Sequence, residues 1–160
     1  MFENSLNGIF PLIFSETEGH AEMARAFKPV FHKPTSAGFC NHSQVWGNSN
    51  SLNLGVQEGD EVFIQRTLTP KPGSSDPKYV TMSVPGGTTH TYIFPAMLDH
   101  GTIVAAIHNI SPGLAVKGAG FLSIANGKVS PHGQSVSLKI GVHADDQFYL
   151  SRQFESLDID

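Results

Sequence analysis

"SVSLKIGVH", residues 135–143, sets Val136, Leu138, Ile140 and Val142 against Ser135, Ser137, Lys139, Gly141 and His143. Strict alternation of apolar and polar residues is the period of a half-buried strand. The same period extends outward to "DEVFIQRTL" (60–68) through Val62, Ile64 and Leu68, and to "KYVTMSV" (78–84), "HTYIF" (90–94) and "TIVAAIH" (102–108). "FLSIANGKVS" (121–130) carries Asn126-Gly127 between two extended segments. That dipeptide suits a type I′ hairpin turn, in which both central residues need positive φ. "TPKPGSSDPK" (69–78) has the Pro, Gly, Ser and Asp content of a second hairpin loop, joining strands at 62–68 and 79–84. "QFYLSRQF" (147–154) is apolar enough for a further strand.

One segment reads as helix. "SETEGHAEMARAFKP" (15–29) offers Ser15 as N-cap with Glu18 three residues on, the reciprocal capping box. Acidic residues fill its first turns, Arg25 and Lys28 close it, and Pro29 stops it. Met23, Ala24 and Phe27 form its inward stripe. The expected fold is therefore all-β, an antiparallel sandwich or barrel of about 8–10 short strands, with one short N-terminal helix near residues 16–27. No internal repeat, low-complexity tract or dividing linker is evident, and residues 1–160 suit a single domain.

Composition narrows the function classes. The single cysteine, Cys40, excludes an internal disulfide. The apolar run at 8–14 has no Lys or Arg ahead of it, so it lacks the basic region of a signal peptide. The longest membrane-like stretch, 91–110, is broken by Pro95, Asp99 and His100, which argues against a spanning helix. Compartment is left open. Net charge is −4 and Lys and Arg never cluster, so nucleic acid is not an expected partner. Charged residues make up 15% of the chain, against about 25% in ordinary soluble domains. None falls between Pro34 and Gln57, and Asp99 alone falls between Tyr79 and Val116. Depletion of charge marks the cores of protein interfaces.

The motifs for chemistry are sparse. Cys40 and His42 would share a side of an extended strand, but no third group or protease signature surrounds them, and a small buried hydrophobe is the plainer reading. The eight histidines have no HxH, HxxxH or HExxH spacing; a metal site would have to be assembled from separate strands, with His90, His100 and His108 as the trio to test. No hydrolase or phosphate-loop signature occurs, and no cofactor is implied. Trp46 sits beside Gln44, Asn48, Ser49, Asn50 and Asn53, an aromatic plane among amides and hydroxyls that suits a sugar or another small polar ligand. Three readings follow. The first is a non-catalytic structural β protein that self-associates, as a coat, decoration or appendage subunit does. The second is a carbohydrate or small polar ligand-binding module centred on Trp46, with Gln44, Asn48 and Asn50. The third is an enzyme using Cys40 or scattered histidines.

Overall fold

The computed structural model describes residues 2–5, 11–15, 18–28, 34–40, 44–126 and 128–154. In chain order the elements are β1 (Phe2–Ser5), β2 (Pro11–Phe14), α1 (His20–Ala26), β3 (Pro34–Cys40), β4 (Val45–Trp46), β5 (Asn48–Ser49), β6 (Leu54–Gly55) and α2 (Asp60–Leu68). They continue with β7 (Lys78–Ser83), β8 (Thr89–Phe94), α3 (His100–His108), β9 (Ala115–Ala125), β10 (Lys128–His132), β11 (Gln134–Ser135), β12 (Ile140–Gly141) and α4 (Asp146–Phe154). The second set repeats the first element for element. Two strands, a helix, two strands, a small two-stranded ribbon and a helix occur twice.

The main sheet makes the repetition plain. Its order is β10-β9-β7-β8-β2-β1-β3-β4, a palindrome when the two sets are matched. All its pairings are antiparallel, and the repeats meet at β2 and β8 with Ile13 opposite Ile93. Each of these isoleucines precedes the phenylalanine that ends its strand, Phe14 or Phe94, so the pseudo-twofold axis passes through equivalent residues. An internal duplication thus replaces the unrepeated chain that the sequence suggests.

Alternation along the central strands gives the sheet two buried faces. Leu12, Phe14, Val80, Met82, Tyr92 and Phe94 face one way and are covered by Met23 and Phe27 of the α1 segment and by Ile103 and Ile107 of α3. Ile13, Tyr79, Ile93 and Leu122 face the other and are covered by Ile64 and Leu68 of α2 and Leu150 of α4. Burying each of these large side chains contributes about 2–3 kcal/mol. Residues 79–116 supply β7, β8 and α3, whose inward side chains are interior to the chain itself, while 84–88 and 112–113 within that charge-poor stretch are exposed.

The β-rich expectation stands, but a sandwich or barrel does not form. The sheet is open at β4 and β10, and helices cover its faces. Among the described residues there are four helices, three of which replace expected strands. In 60–68 the buried residues are Asp60, Ile64 and Leu68, spaced by four, while Val62 is half exposed. In 102–108 the buried set is Ile103, Val104, Ala106 and Ile107, a helical stripe rather than an alternation. The segment 147–154 likewise lies within α4. Acidic residues at the first turns of α2 and α4 and Arg66 and Arg152 at their last turns match the helix dipole. With 60–68 helical, 69–77 joins a helix to β7 and is not a hairpin loop.

"SVSLKIGVH" departs furthest from its expected form. Only Ser135 and the Ile140–Gly141 pair are in strands, and Val136 is 83% exposed. The buried Ser135 hydroxyl accepts the Leu138 amide at 3.1 Å, and Lys139 takes φ 57°, so the chain turns where an extended strand would run on. The first helix is also shorter than expected and begins at His20. Ser15 does not cap it: its Oγ accepts the Thr91 amide at 2.8 Å across the repeat junction. The β7, β8 and β9–β10 expectations hold, with Ala125 opposite Lys128 and Asn126 at φ 53° in the turn.

Candidate functional site

The clearest local similarity between the repeats is "GNSNSLNLGVQEGD" (47–60) against "GQSVSLKIGVHADD" (133–146), a shared G-x-S-x-S-L-x-x-G-V-x-x-x-D. The structure gives most of the shared positions a task. Gly47 and Gly133 have φ 81° and 75°, and an added Cβ would lie 2.9 Å from Phe39 and 3.1 Å from Phe121. The Ser49 hydroxyl accepts the Leu52 amide at 3.2 Å, as Ser135 accepts that of Leu138. Ser49 and Ser51 share a hydrogen bond at 3.2 Å, matched by Ser135 and Ser137 at 3.3 Å. Asn53 at φ 56° mirrors Lys139, and the Asp60 and Asp146 carboxylates each accept an amide ahead of their helix at 2.8 Å, from Gln57 and His143. Two identical frames result.

A ladder of rings supports each frame. Phe14, His20, Phe39 and Trp46 follow one another at centroid spacings of 5.6, 6.2 and 6.3 Å, the last pair stacked at 22°. Phe94, His100, Phe121 and His132 repeat this at 5.5, 6.1 and 6.0 Å, the last pair stacked at 18°. His20 and His100 are buried and direct Nε2 at the carbonyls of Gly38 and Gly120, at 3.2 and 2.9 Å, which assigns the proton to that nitrogen. Burial holds His100 below its ordinary value despite the Gly120 carbonyl, which favours the charged form. His100 therefore acts as a neutral plug between helix and sheet, and His20 occupies the same place in the first repeat.

The outward residues differ. In the first repeat the ladder ends in Trp46, 40% exposed, beside exposed Gln44, and an open depression of about 180 Å³ is lined by Asn48, Ser49, Asn50, Asn53, Leu54 and Gly55. In the second, the ladder ends in His132, bound to Asp76 at 2.8 Å, and the ribbon presents Gln134, Val136 and Lys139 where the first has three asparagines.

The other candidate residues are scattered. His90 meets Glu18 at 2.5 Å, His100 opens α3, and His108 bonds the Leu114 carbonyl at 2.7 Å at the far end of that helix. Among the described residues, no group of three His, Cys, Asp or Glu side chains is placed to hold a metal. Cys40 is buried in the second core cluster, and burial pushes its thiol up to about 11, the wrong direction for a nucleophile at neutral pH. His42 lies outside the described residues.

Two buried carboxylates were not foreseen. Asp146 is fully buried, and its two oxygens accept the Tyr79 hydroxyl at 2.6 Å and the Thr81 hydroxyl at 2.9 Å, tying α4 to the sheet. Burial and Asp146 together push the Tyr79 hydroxyl upward. Glu18 accepts the Tyr92 hydroxyl at 2.9 Å beside His90. Burial raises the Glu18 carboxyl, but the bonds from His90 and Tyr92 outweigh it and hold the group below its ordinary value. Among the described helices, none is long and apolar enough to cross a membrane. Comparison with protein-family models, with curated proteins and with solved structures found no match to the chain.

Proposed function

We propose that this protein is a non-catalytic binding domain whose ligand face is the β5–β6 ribbon of the first repeat, with Trp46 beside it. The ligand class is a carbohydrate or another small polar molecule. One observation carries the reading: on a frame built twice with the same bonds, the first copy ends in an exposed tryptophan plane followed by an amide-lined depression, where the second ends in an imidazole bound to Asp76. A tryptophan face packs against the apolar face of a sugar ring. Asparagine amides both donate and accept, as ring hydroxyls require. Asn48, Asn50 and Asn53 supply those amides, with exposed Gln44 flanking Trp46.

The test is a glycan array probed with the wild-type chain, Trp46→Ala and Asn50→Val, the last carrying the residue of the second repeat. Defined signals lost in both variants, with the melting temperature nearly unchanged, support the proposal. Equal signals from all three chains overturn it.

Self-association is the second reading, supported by residues 44–57, which combine exposure with a complete lack of charge. The inward faces of β7, β8 and α3 take up part of 79–116 in the chain's own core, which weakens the other support for it, while 84–88 stays exposed. Light scattering behind size exclusion, with negative-stain images of the same peak, separates the two. A large symmetric particle favours assembly; a 17.2 kDa species favours the binding domain.

A further inference from the structure

The junction between the repeats has a property that neither reading uses. It is short: β2 and β8 share two register pairs, Ile13↔Ile93 and Phe14↔Tyr92, where β7 and β8 share six. It is also polar on one flank only. Glu18 of the first repeat reaches across to Tyr92 and His90 of the second, and Ser15 exchanges bonds with Thr91. The position equivalent to Glu18, two residues before the helix histidine, is Leu98; the position equivalent to Tyr92 is Leu12. Both leucines belong to the apolar core on that face.

We infer that this seam is an exchangeable interface whose partner is a second copy of this chain, and that Glu18 restricts it to pairing between unlike repeats. In the exchanged form the first repeat of one chain pairs with the second repeat of the other, and every contact within a repeat and across the seam is kept. Only the connection at 69–77 changes course, and residues 71–75 within it are exposed. Concentration then sets the balance between the closed monomer and the exchanged dimer. Like pairing fails on the same geometry. Two first repeats would set the buried Glu18 carboxylate against Leu12, and two second repeats would set the Tyr92 hydroxyl against Leu98. A buried polar group without a partner disfavours each. Unlike pairing closes on itself, and its smallest intermolecular product is a two-chain ring.

The experiment deletes residues 71–75, so that the connection no longer reaches back comfortably within one chain, and measures mass by light scattering. A second version carries Cys40→Ala with Ile13→Cys and Ile93→Cys, refolded in a glutathione redox buffer and run on a non-reducing gel. The expected results are a twofold mass and a covalent dimer for the deletion chain, against a single chain with an internal bond when the connection is intact. A deletion chain that stays monomeric overturns the exchange. A covalent dimer formed by Ile13→Cys alone, which only like pairing can give, overturns the role of Glu18. If the cysteine variants do not fold, the mass of the deletion chain without them decides. If the deletion chain itself does not fold, the wild-type chain refolded at high concentration decides: a dimer peak that returns to monomer only slowly on dilution supports exchange, and monomer throughout overturns it.

Discussion

The two repeats share a hydrogen-bonded frame and differ most clearly at its outer end. Both keep the histidine plug at the start of the first helix, the serine-bonded ribbon and the aspartate that opens the last helix. They part at the ladder's end, where one has Trp46 and the other a His132–Asp76 pair, and at the buried position of β3 and β9, where one has Ser36 and the other Gly118. Residues that close the backbone's hydrogen bonds cannot vary without leaving a buried group unpaired. Those facing solvent carry no such penalty, so divergence there reports on use and not on folding.

The strongest way to break the comparison is Asp146→Ala. It strips the Tyr79 and Thr81 hydroxyls and the His143 amide of their common acceptor, and a loss of about 3 kcal/mol or more is expected in denaturant melts. Transplanting a residue comes next. In Gly118→Ser the new Cβ would lie 2.2 Å from an Asp146 oxygen, and a loss of about 2–3 kcal/mol is expected from overpacking.

Acidification sharpens the comparison because the titrating groups are unequally shared. His100 has a lowered folded value, so the unfolded chain takes up its proton first; its stabilisation is complete above the ordinary 6.5 and falls as pH drops below it. Glu18 is held below 4.5, so its stabilisation is present above that value and is lost as pH falls through the lower folded one. A thermal midpoint followed from pH 8 to pH 3 should fall in two stages, the upper weakened by His100→Gln and the lower by Glu18→Gln. Leu98, in the place equivalent to Glu18, has nothing to titrate. The smallest effect is a gain. Among the described residues the buried Ser36 hydroxyl has no partner, and Ser36→Ala should stabilise the chain by up to about 1 kcal/mol.

Legibility in the sequence followed the range of the interaction concerned. Asn126-Gly127 and the strands at 78–83 and 89–94 were readable because turn chemistry and β-propensity act over a few residues. The helices at 60–68, 100–108 and 146–154 read as strands in the sequence because short apolar runs fit both periods, and the sheet face that selects between them is remote in sequence. The alternation in 135–143 was accidental: Ser135 accepts the local Leu138 amide, Ser137 accepts the remote Gly101 amide, and Val136 points away from any core. The signal that could have shown this was present in the chain, as G-x-S-x-S-L-x-x-G-V printed twice, with Ala-Gly-Phe before each copy at 37–39 and 119–121. Trp46 and its asparagines were readable as an exposed polar group, but their contrast with the second ribbon required the superposition of repeats.

The seam between β2 and β8 also sets an order of events during synthesis. The chain emerges with β2 complete and its neighbour β8 still to be made, a separation running from Phe14 to Thr89. At about 5–20 residues per second, that interval lasts several seconds. Throughout it the first repeat carries a bare strand edge beside Leu12, Ile13 and Phe14, all of which end up buried. Neighbouring ribosomes on one message would hold such edges close together, which makes the spacing of translation a determinant of whether each chain closes on itself.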